Sequence, residues 1–318
     1  MNTSTDRRIA VIGLGAMGGA MAATLHRAGW EVTGFDPSEA ARSAASDAGI
    51  RATDTLSDLA GTPYVVLSLP AASMVQTTVP QLLAAPGTIA IIDTTTSEPA
   101  TSRQMADLAE AQGAAFVDAP VSGGRDGAAS GSLSAFVGAT GGALAAAEPV
   151  LLALTGGKYS HIGGPGSGNV VKLLNNVLAA ANLVSVGEAL GVAQAYGIDP
   201  ATAAASISQA SGGSKVSANM YPNWVLTGTH DSGFSLGLMA RDAALAVQVA
   251  AQIGETPALL AAVAGQWQEA LAVLGPRADF TEIARTVAPA ITPAGAPGTT
   301  PAGAPPAPVT TNGTTAVA

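Results

Sequence analysis

The chain of 318 residues contains no cysteine. Disulfide bonds, thiolate metal sites and a cysteine nucleophile are therefore all excluded. Histidine is also rare: His26, His161 and His230 are scattered without the spacing of metal ligands, so we expect no metal site. Aromatic residues make up only 4% of the chain although hydrophobic residues make up 48%, and this composition indicates closely packed, alanine-rich helices.

Positive charge is scarce as well, with 13 Lys and Arg against 22 Asp and Glu and a formal net charge of -9. Such a chain lacks the basic surface that binds nucleic acid or anionic membranes. The most apolar stretch, 177–195, still contains Asn182 and Glu188, and the apolar run after Arg8 is too short for the core of a signal peptide. We therefore predict a cytoplasmic protein with no nucleic-acid or membrane partner.

The first 36 residues follow the order strand, glycine-rich turn, helix, strand and acidic residue, with strands expected at 8–12 and 30–35. In the GxGxxG turn, Gly13 permits the tight bend, Gly15 lets the backbone approach a pyrophosphate, and Gly18 allows close packing of helix on strand. The acidic residue after the second strand can accept hydrogen bonds from ribose hydroxyls and would repel a 2′-phosphate. The pattern thus predicts a dinucleotide site that favours NAD without excluding NADP; a glycine-rich packing turn beside a surface aspartate is the alternative. The predicted cofactor-binding residues here are Gly13, Leu14, Gly15, Ala16, Met17, Gly18 and Asp36.

Apolar runs separated by helical segments continue to about residue 163, and they predict an α/β fold with a doubly wound, mostly parallel Rossmann sheet. Further strands are expected at 64–69, 88–92, 115–118 and 135–137. Ligands of such sheets lie beyond the carboxyl ends of the strands, which places Leu69, Pro70, 94–96 and 119–124 near the cofactor. In the predicted loop 118–133, the small residues Ser122, Gly123 and Gly124 have N–H groups that can surround a carboxylate, although an ordinary glycine-rich turn is the alternative.

From the GGPGSG stretch at 163–168 onward the strand signal almost disappears. Helices are predicted at 168–196, 200–209, 214–226, 235–252, 256–274 and 279–286. We expect a Rossmann domain at 1–164, a helical substrate and oligomerisation domain at 165–288, and a disordered tail at 289–318 that repeats TPAGAP. Alanine on many helix faces favours burial against another subunit, as in a homodimer or homotetramer.

The segment GSGNVVKLLNN at 166–176 predicts a buried helix with one polar stripe. On a helix, Asn169, Lys172, Asn175 and Asn176 share a face, and the remaining positions are apolar. A lysine buried in apolar surroundings has a lowered pKa, which is what a catalytic proton carrier needs. The alternative is that Lys172 reaches the surface while the asparagines cap or cross-link helices.

Four segments occur together along the chain: VIGLGAMGGAMAATLHRAG at 11–29, DAPVSGGRDGAASGSL at 118–133, GSGNVVKLLNN at 166–176 and FSLGLMARDAALA at 234–246. In this order they resemble the β-hydroxyacid dehydrogenase family, the group of 3-hydroxyisobutyrate dehydrogenase and tartronate semialdehyde reductase. The resemblance implies a Rossmann domain followed by a helical domain, with the active site in the cleft.

The resemblance also implies roles for individual residues. Lys172 matches the family's catalytic lysine, and Asn176 matches its substrate-orienting asparagine. The neighbouring Asn175 is assigned to the substrate site from its place on the same helix face, not from the resemblance. The loop Ser122, Gly123 and Gly124 matches the site of the substrate carboxylate. Contacts to the cofactor are implied for Leu69, Pro70, Thr96 and Arg241. The family usually has lysine at position 241, and a helix-surface ion pair of Arg241 with Asp242 is the alternative to a cofactor contact there.

The function predicted from these residues is hydride transfer between NAD and the hydroxyl-bearing carbon of a small, anionic 3-hydroxy acid such as 3-hydroxyisobutyrate, with Lys172 as general acid and base. Alternatives are a reductase of an aldehyde acid such as tartronate semialdehyde, an imine reductase, and a non-catalytic nucleotide-binding scaffold. Imine reductases typically lack the lysine, which argues against them. Decarboxylating phosphogluconate dehydrogenases are a further alternative, but their chains are longer and use additional basic residues for phosphate, in which this sequence is poor. The sequence does not select one hydroxy acid.

Overall fold

The computed structural model describes residues 6–289 and residue 291. All but two residues of the predicted tail, including both TPAGAP repeats, lie outside this part of the chain. Within the described residues a single sheet contains nine strands. They are β1 (Arg8–Ile12), β2 (Glu31–Phe35), β3 (Arg51–Thr53), β4 (Tyr64–Leu67), β5 (Ala90–Asp93), β6 (Ala115–Asp118), β7 (Val121–Ser122), β8 (Ser134–Gly138) and β9 (Tyr159–Gly163).

The sheet is mostly parallel, as the sequence predicts. Its order is β3-β2-β1-β4-β5-β6-β8-β7, with β9 beside β8. The strands from β3 to β6 in this order pair in parallel, whereas β8 is antiparallel to both β6 and β7. The prediction of a Rossmann fold is confirmed, and it places the carboxyl ends of β1, β4, β5 and β6 along one edge.

Three strands were not predicted, and each gives a weak signal. β3 has three residues, β7 has two, and β9 is largely exposed and contains the polar pair Ser160 and His161. The predicted loop at 118–133 was wrong, because this segment contains β7 and the short helix α5 (Gly124–Ser130).

Helices cover both faces of the sheet. Besides α5 they are α1 (Ala16–Arg27), α2 (Glu39–Asp47), α3 (Ala72–Leu82), α4 (Pro99–Ala111) and α6 (Gly141–Thr155). Side chains alternate between two cores, because successive residues of a strand point to opposite faces. Ile9 and Val11 belong to one core, whereas Ala10 and Ile12 belong to the other. The buried apolar runs seen in the sequence follow from this two-sided burial.

After residue 164 the described chain is helical, as predicted, and its β-structure there is one bridge between Ser235 and Asp279. The helices are α7 (Ser167–Ala195), α8 (Pro200–Ser208), a π-helix (Val216–Val225), α9 (Leu236–Gln252), α10 (Ala258–Leu274), a 3-10 helix (Phe280–Ile283) and α11 (Ala284–Val287). Among the described helices, α7 alone is long and apolar enough to cross a membrane, a test that core helices of soluble proteins also pass.

The chain packs into two compact units. The first comprises Met1–Leu178 and Leu238–Gln268, and the second comprises Ala179–Gly237 and Glu269–Ala318. This division differs from the predicted boundary between residues 164 and 165, which stays a prediction. All the predicted site residues belong to the first unit.

The three glycines of the turn after β1 differ in what the fold requires of them. Gly13 has φ +91, and a Cβ atom there would lie 2.3 Å from the carbonyl oxygen of Ser68. A Cβ atom at Gly18 would lie 1.8 Å from the carbonyl oxygen of Gly13. At Gly15, where φ is -63, a Cβ atom would meet no protein atom within 4 Å. Protein packing therefore explains why residues 13 and 18 are glycine, but it does not explain Gly15. Open space at Gly15 is what a turn needs if its backbone is to approach a pyrophosphate.

Gly15 is the N-cap of α1, where alanine is less favourable than glycine but loses less backbone entropy on folding. We expect Gly15→Ala to leave the free energy of unfolding within about 1 kcal/mol of the wild type, while NADH affinity falls at least about tenfold. Gly18→Ala should instead destabilise the fold by roughly 2 kcal/mol, because its methyl group collides with backbone. Urea unfolding and NADH fluorescence titration measure the two effects. Unchanged NADH affinity in the Gly15 variant would contradict the assignment of this turn to the cofactor.

Two buried carboxylates, Asp93 and Asp118, are paired in register at the carboxyl ends of β5 and β6. One oxygen of Asp93 accepts a hydrogen bond from the Thr95 N–H at 2.9 Å, and the other has no partner among the described residues. Burial raises the pKa of Asp93 to about 7, and burial likewise raises the pKa of Asp118 to about 7. Each group therefore prefers its proton more strongly in the folded chain than in the unfolded one.

The contribution of Asp93 to stability should accordingly be full below the unfolded pKa of about 4 and be lost as the pH rises through about 7. Asp93→Asn removes this titration. Its gain in free energy of unfolding over the wild type should be larger at pH 8 than at pH 5, by roughly 2 kcal/mol. Urea unfolding at both pH values measures this difference. An equal gain in free energy of unfolding at pH 5 and pH 8 would show that the pKa of Asp93 is not raised in the folded chain.

Candidate active site

The glycine turn after β1 is joined directly to the acidic residue after β2. The Leu14 N–H donates to Oδ2 of Asp36 at 2.8 Å, and the Ser38 N–H donates to Oδ1 at the same distance. The nearby guanidinium of Arg42 donates to the backbone oxygen of Asp36 at 2.8 Å and forms an ion pair with Asp54. The structure thus brings the predicted turn and the predicted ribose carboxylate together, and the charge of Arg42 is paired with another carboxylate.

The loops that follow β4 and β5 meet at the same edge of the sheet. The Leu69 N–H donates to Oγ1 of Thr95 at 3.1 Å, and the Thr94 N–H donates to the Leu67 carbonyl oxygen at 2.9 Å. Thr96 follows directly and is half-buried. Parallel strands place their carboxyl ends together, and these bonds hold the predicted residues Leu69 and Thr96 on adjacent loops.

Helix α7 begins on the carboxylate of Asp118. The N–H groups of Gly166 and Asn169 donate to its two oxygens at 2.7 and 2.9 Å. The Asn169 side chain in turn donates to the Ser102 hydroxyl at 3.0 Å and accepts from the Ser97 N–H at 2.9 Å. The cross-linking role considered for the asparagines therefore applies to Asn169. These bonds determine where α7 starts, and hence where Lys172 lies one turn later.

The Lys172 side chain is buried, with 9% of the residue exposed, so the alternative in which it reaches the surface is wrong. Burial lowers the pKa of Lys172 to about 8, and the carboxylate of Asp242 opposes this shift. Among the described residues no hydrogen bond or ion pair holds its ammonium. A lysine in this state can hold or release a proton near neutral pH, which is the property of a general acid and base.

Asn176 and Asp242 are linked inside the protein. The Asn176 amide donates to Oδ2 of Asp242 at 2.7 Å, and the Asn175 amide donates to Oδ1 of Asn176 at 3.2 Å. The other oxygen of Asp242 accepts from Nε and Nη2 of Arg241, at 2.9 and 2.6 Å. The ion pair considered for Arg241 and Asp242 is therefore present, but its carboxylate is not at the helix surface, because Asp242 is 1% exposed.

Asp242 was not among the predicted site residues, although one signal for it was present. It lies in the fourth family-like segment, directly after Arg241 and before the apolar stretch AALAV on α9. Its partner Asn176 is 66 positions away in sequence, and no local pattern relates the two. Arg241 also reaches the first predicted region, because Nη1 donates to the Pro70 carbonyl oxygen in the loop after β4.

The predicted carboxylate loop lies where β7 ends and α5 begins. Gly123 and Gly124 have φ values of +126 and +62, backbone conformations that favour glycine. Both glycines are exposed and Ser122 is half-buried. No hydrogen bond among the described residues joins this loop to Lys172 or Asn176. The loop and α7 are connected instead through β6, because both lie next to its last residue, Asp118. β7 follows three residues after Asp118, on which α7 begins.

Two protein-family models match the chain. The model for the NAD binding domain of 6-phosphogluconate dehydrogenase matches residues 8–163. The model described as the NAD-binding region of NADP-dependent 3-hydroxyisobutyrate dehydrogenase matches residues 166–287. Together they cover most of the chain.

Curated relatives and solved structures agree with these models. The chain is 33% identical to 2-(hydroxymethyl)glutarate dehydrogenase of Eubacterium barkeri, over 81% of this chain and 87% of the relative. It is 36% identical to 3-hydroxyisobutyrate dehydrogenase of Pseudomonas aeruginosa, over 75% of this chain and 84% of the relative. The structure of Mycobacterium tuberculosis 3-hydroxyisobutyrate dehydrogenase with L-serine has 31% identity and a TM-score of 0.81, covering 88% of this chain and 99% of that one. The chain therefore belongs to the β-hydroxyacid dehydrogenase family of NAD-dependent oxidoreductases.

Proposed function

We propose that this dehydrogenase oxidises a small 3-hydroxy carboxylic acid that carries a primary alcohol. The observation that carries the proposal is the buried Lys172, whose lowered pKa suits proton transfer, with Asn176 one turn away on α7. The relatives' names support the substrate class. 2-(Hydroxymethyl)glutarate, 3-hydroxyisobutyrate and L-serine all contain a CH2OH group on the carbon next to a carboxylate.

The glycine turn supports NAD as the cofactor. Gly15 has space around its missing Cβ, and Asp36 is held by two backbone N–H groups that leave further lone pairs for ribose hydroxyls. The carboxylate of Asp36 would repel a 2′-phosphate, so we propose NAD over NADP. The remaining proposed contacts to the cofactor are those of Leu14, Ala16, Met17, Leu69, Pro70, Thr96 and Arg241.

NAD, when bound, supplies the hydride acceptor for the carbinol carbon. In oxidation, Lys172 as a neutral amine accepts the proton of the substrate hydroxyl, and in reduction its ammonium returns this proton. Asn176 is held by Asp242 and orients the hydroxyl group toward Lys172. Ser122, Gly123 and Gly124 would bind the substrate carboxylate with N–H and hydroxyl groups, and Asn175 supports Asn176.

Other functions fit the site less well. An aldehyde-acid reductase of the tartronate semialdehyde type is the same chemistry in reverse and remains the nearest alternative. An imine reductase or a nucleotide-binding scaffold would have no need of a buried lysine next to a hydrogen-bonded Asn and Asp. The combination of Lys172, Asn176 and Asp242 therefore favours the hydroxy-acid reaction.

Three further proposals come from the sequence. We also propose that the enzyme is cytoplasmic. The one described helix apolar enough to cross a membrane, α7, buries the polar residues Asn169, Lys172 and Asn176 inside the protein, which is typical of a core helix of a soluble protein. A homodimer or homotetramer is proposed from the alanine-rich helices, and a monomer in sedimentation velocity would contradict it. A domain boundary near residue 164 is supported by the two family models, which meet between residues 163 and 166.

The direct test is the initial rate of NADH formation with 3-hydroxyisobutyrate, L-serine, 2-(hydroxymethyl)glutarate, glycerate and 4-hydroxybutyrate, repeated with NADP. We expect turnover of at least one CH2OH acid with NAD.

Lys172→Ala should lower kcat by at least about a hundredfold, because it removes the proton acceptor, while NADH binding persists. A Lys172 variant with most of its activity would disprove the assigned role, and preference for NADP would disprove that of Asp36.

The oxidation rate should also depend on pH in a defined direction. Because the pKa of Lys172 is lowered to about 8 by burial, its neutral form becomes available as the pH rises through that value. We expect kcat/KM for oxidation to increase with pH and to level off above about 8. Lys172→Arg, which cannot lose its proton, should be inactive at every pH. A flat wild-type profile between pH 6 and 9 would be inconsistent with this role.

A further inference from the structure

Each oxygen of the buried Asp242 carboxylate has a different partner. Oδ2 accepts from the Asn176 amide at 2.7 Å, and Oδ1 accepts two N–H groups of Arg241, at 2.9 and 2.6 Å. Arg241 and Asp242 are consecutive on α9, and the arginine side chain is half-buried. The carboxylate is thus held between Asn176, the residue proposed to orient substrate, and the cation of Arg241.

The guanidinium of Arg241 has a second anchor outside its helix. Its Nη1 donates to the Pro70 carbonyl oxygen in the loop after β4, 171 positions away in sequence. Three of its five N–H groups are therefore engaged, which fixes the plane of the guanidinium. A lysine, the residue usual in the family, is a point charge on a flexible chain and cannot reproduce this planar arrangement.

The charge that acts on Lys172 is that of Asp242, and Arg241 is ion-paired with this carboxylate. The negative carboxylate favours the charged form of Lys172, and among the described residues it is the one charged group with a resolved effect on that lysine. A cation 2.6 Å from this carboxylate, as Arg241 is, would offset part of its negative charge. Because Lys172 and Asp242 are both buried, water and salt screen the interaction only weakly.

We propose that Arg241 is a positioning residue that orients Asp242 toward Asn176 and sets how much negative charge Lys172 experiences. The proposal rests on the proposed function of Lys172 as the proton carrier. Through the Pro70 carbonyl, Arg241 also links this charge balance to the loop at the cofactor edge of the sheet. The arginine that replaces the usual lysine of the family is thereby given a specific role in this chain.

The test measures the protonation of Lys172 directly. The chain contains three lysines, Lys158, Lys172 and Lys215, and the structure places Lys158 and Lys215 at the surface. Trace labelling of the whole protein with acetic anhydride over a pH series, followed by peptide mass spectrometry, gives a midpoint for Lys172, with the other two lysines as internal references. This measurement needs neither substrate nor turnover.

We expect Arg241→Met to raise the Lys172 midpoint by about one pH unit, because the carboxylate of Asp242 is no longer offset. Asp242→Asn should lower the midpoint by a similar amount, because the favourable charge is removed. Arg241→Lys keeps the charge and should stay closer to the wild type than Arg241→Met, while its kcat falls because Asp242 is less well oriented. Arg241→Gln is the substitute if the methionine variant does not fold, and the same rise is expected.

Arg8→Met is the matched control. Arg8 also makes a bidentate contact with an aspartate close in sequence, Asp6, but at the amino end of β1. This variant should leave the Lys172 midpoint unchanged. The proposal is overturned if the Arg241 and Asp242 variants leave the midpoint in place or move it in the same direction. Turnover of a hydroxy acid with no such shift would overturn this inference alone, whereas opposite shifts without any turnover would overturn the proposed function instead.

Discussion

The hydrogen bonds from the first turn of α7 to Asp118 are the interaction on which the site depends. They attach the helix that carries Lys172 and Asn176 to the end of β6, at the edge where the loops proposed to contact the cofactor also lie. A buried carboxylate is costly, and the two backbone donors at a helix start compensate part of that cost. The position of the lysine thus follows from the sheet and not from the loops around it.

Burial is the common physical cause of the properties of this site. It lowers the pKa of Lys172 and raises the pKa of both Asp93 and Asp118. Such groups reduce the stability of the fold, and their presence together at the carboxyl edge of the sheet is typical of an active site. Asp242 is buried in the same unit, and its bonds to Asn176 and Arg241 make its charge tolerable there.

Much of the fold was predictable, because strand and helix periodicity are local. The sequence correctly indicated β1, β6 and, within one residue at each end, the long helix α7. Prediction failed where elements are short and partly exposed. β3 and β9 carry little apolar signal, and α5 has the sequence GRDGAAS, whose small and charged residues are typical of a loop.

The sequence by itself determined the glycine turn, the order of the main elements and the polar stripe on one face of α7, because each depends on neighbours a few residues apart. Only the tertiary structure decided which partners these residues have. The contact of Asn176 with Asp242 and that of Arg241 with Pro70 join segments 66 and 171 positions apart. Such pairs arise from the packing of helices on the edge of the sheet, which no local pattern encodes.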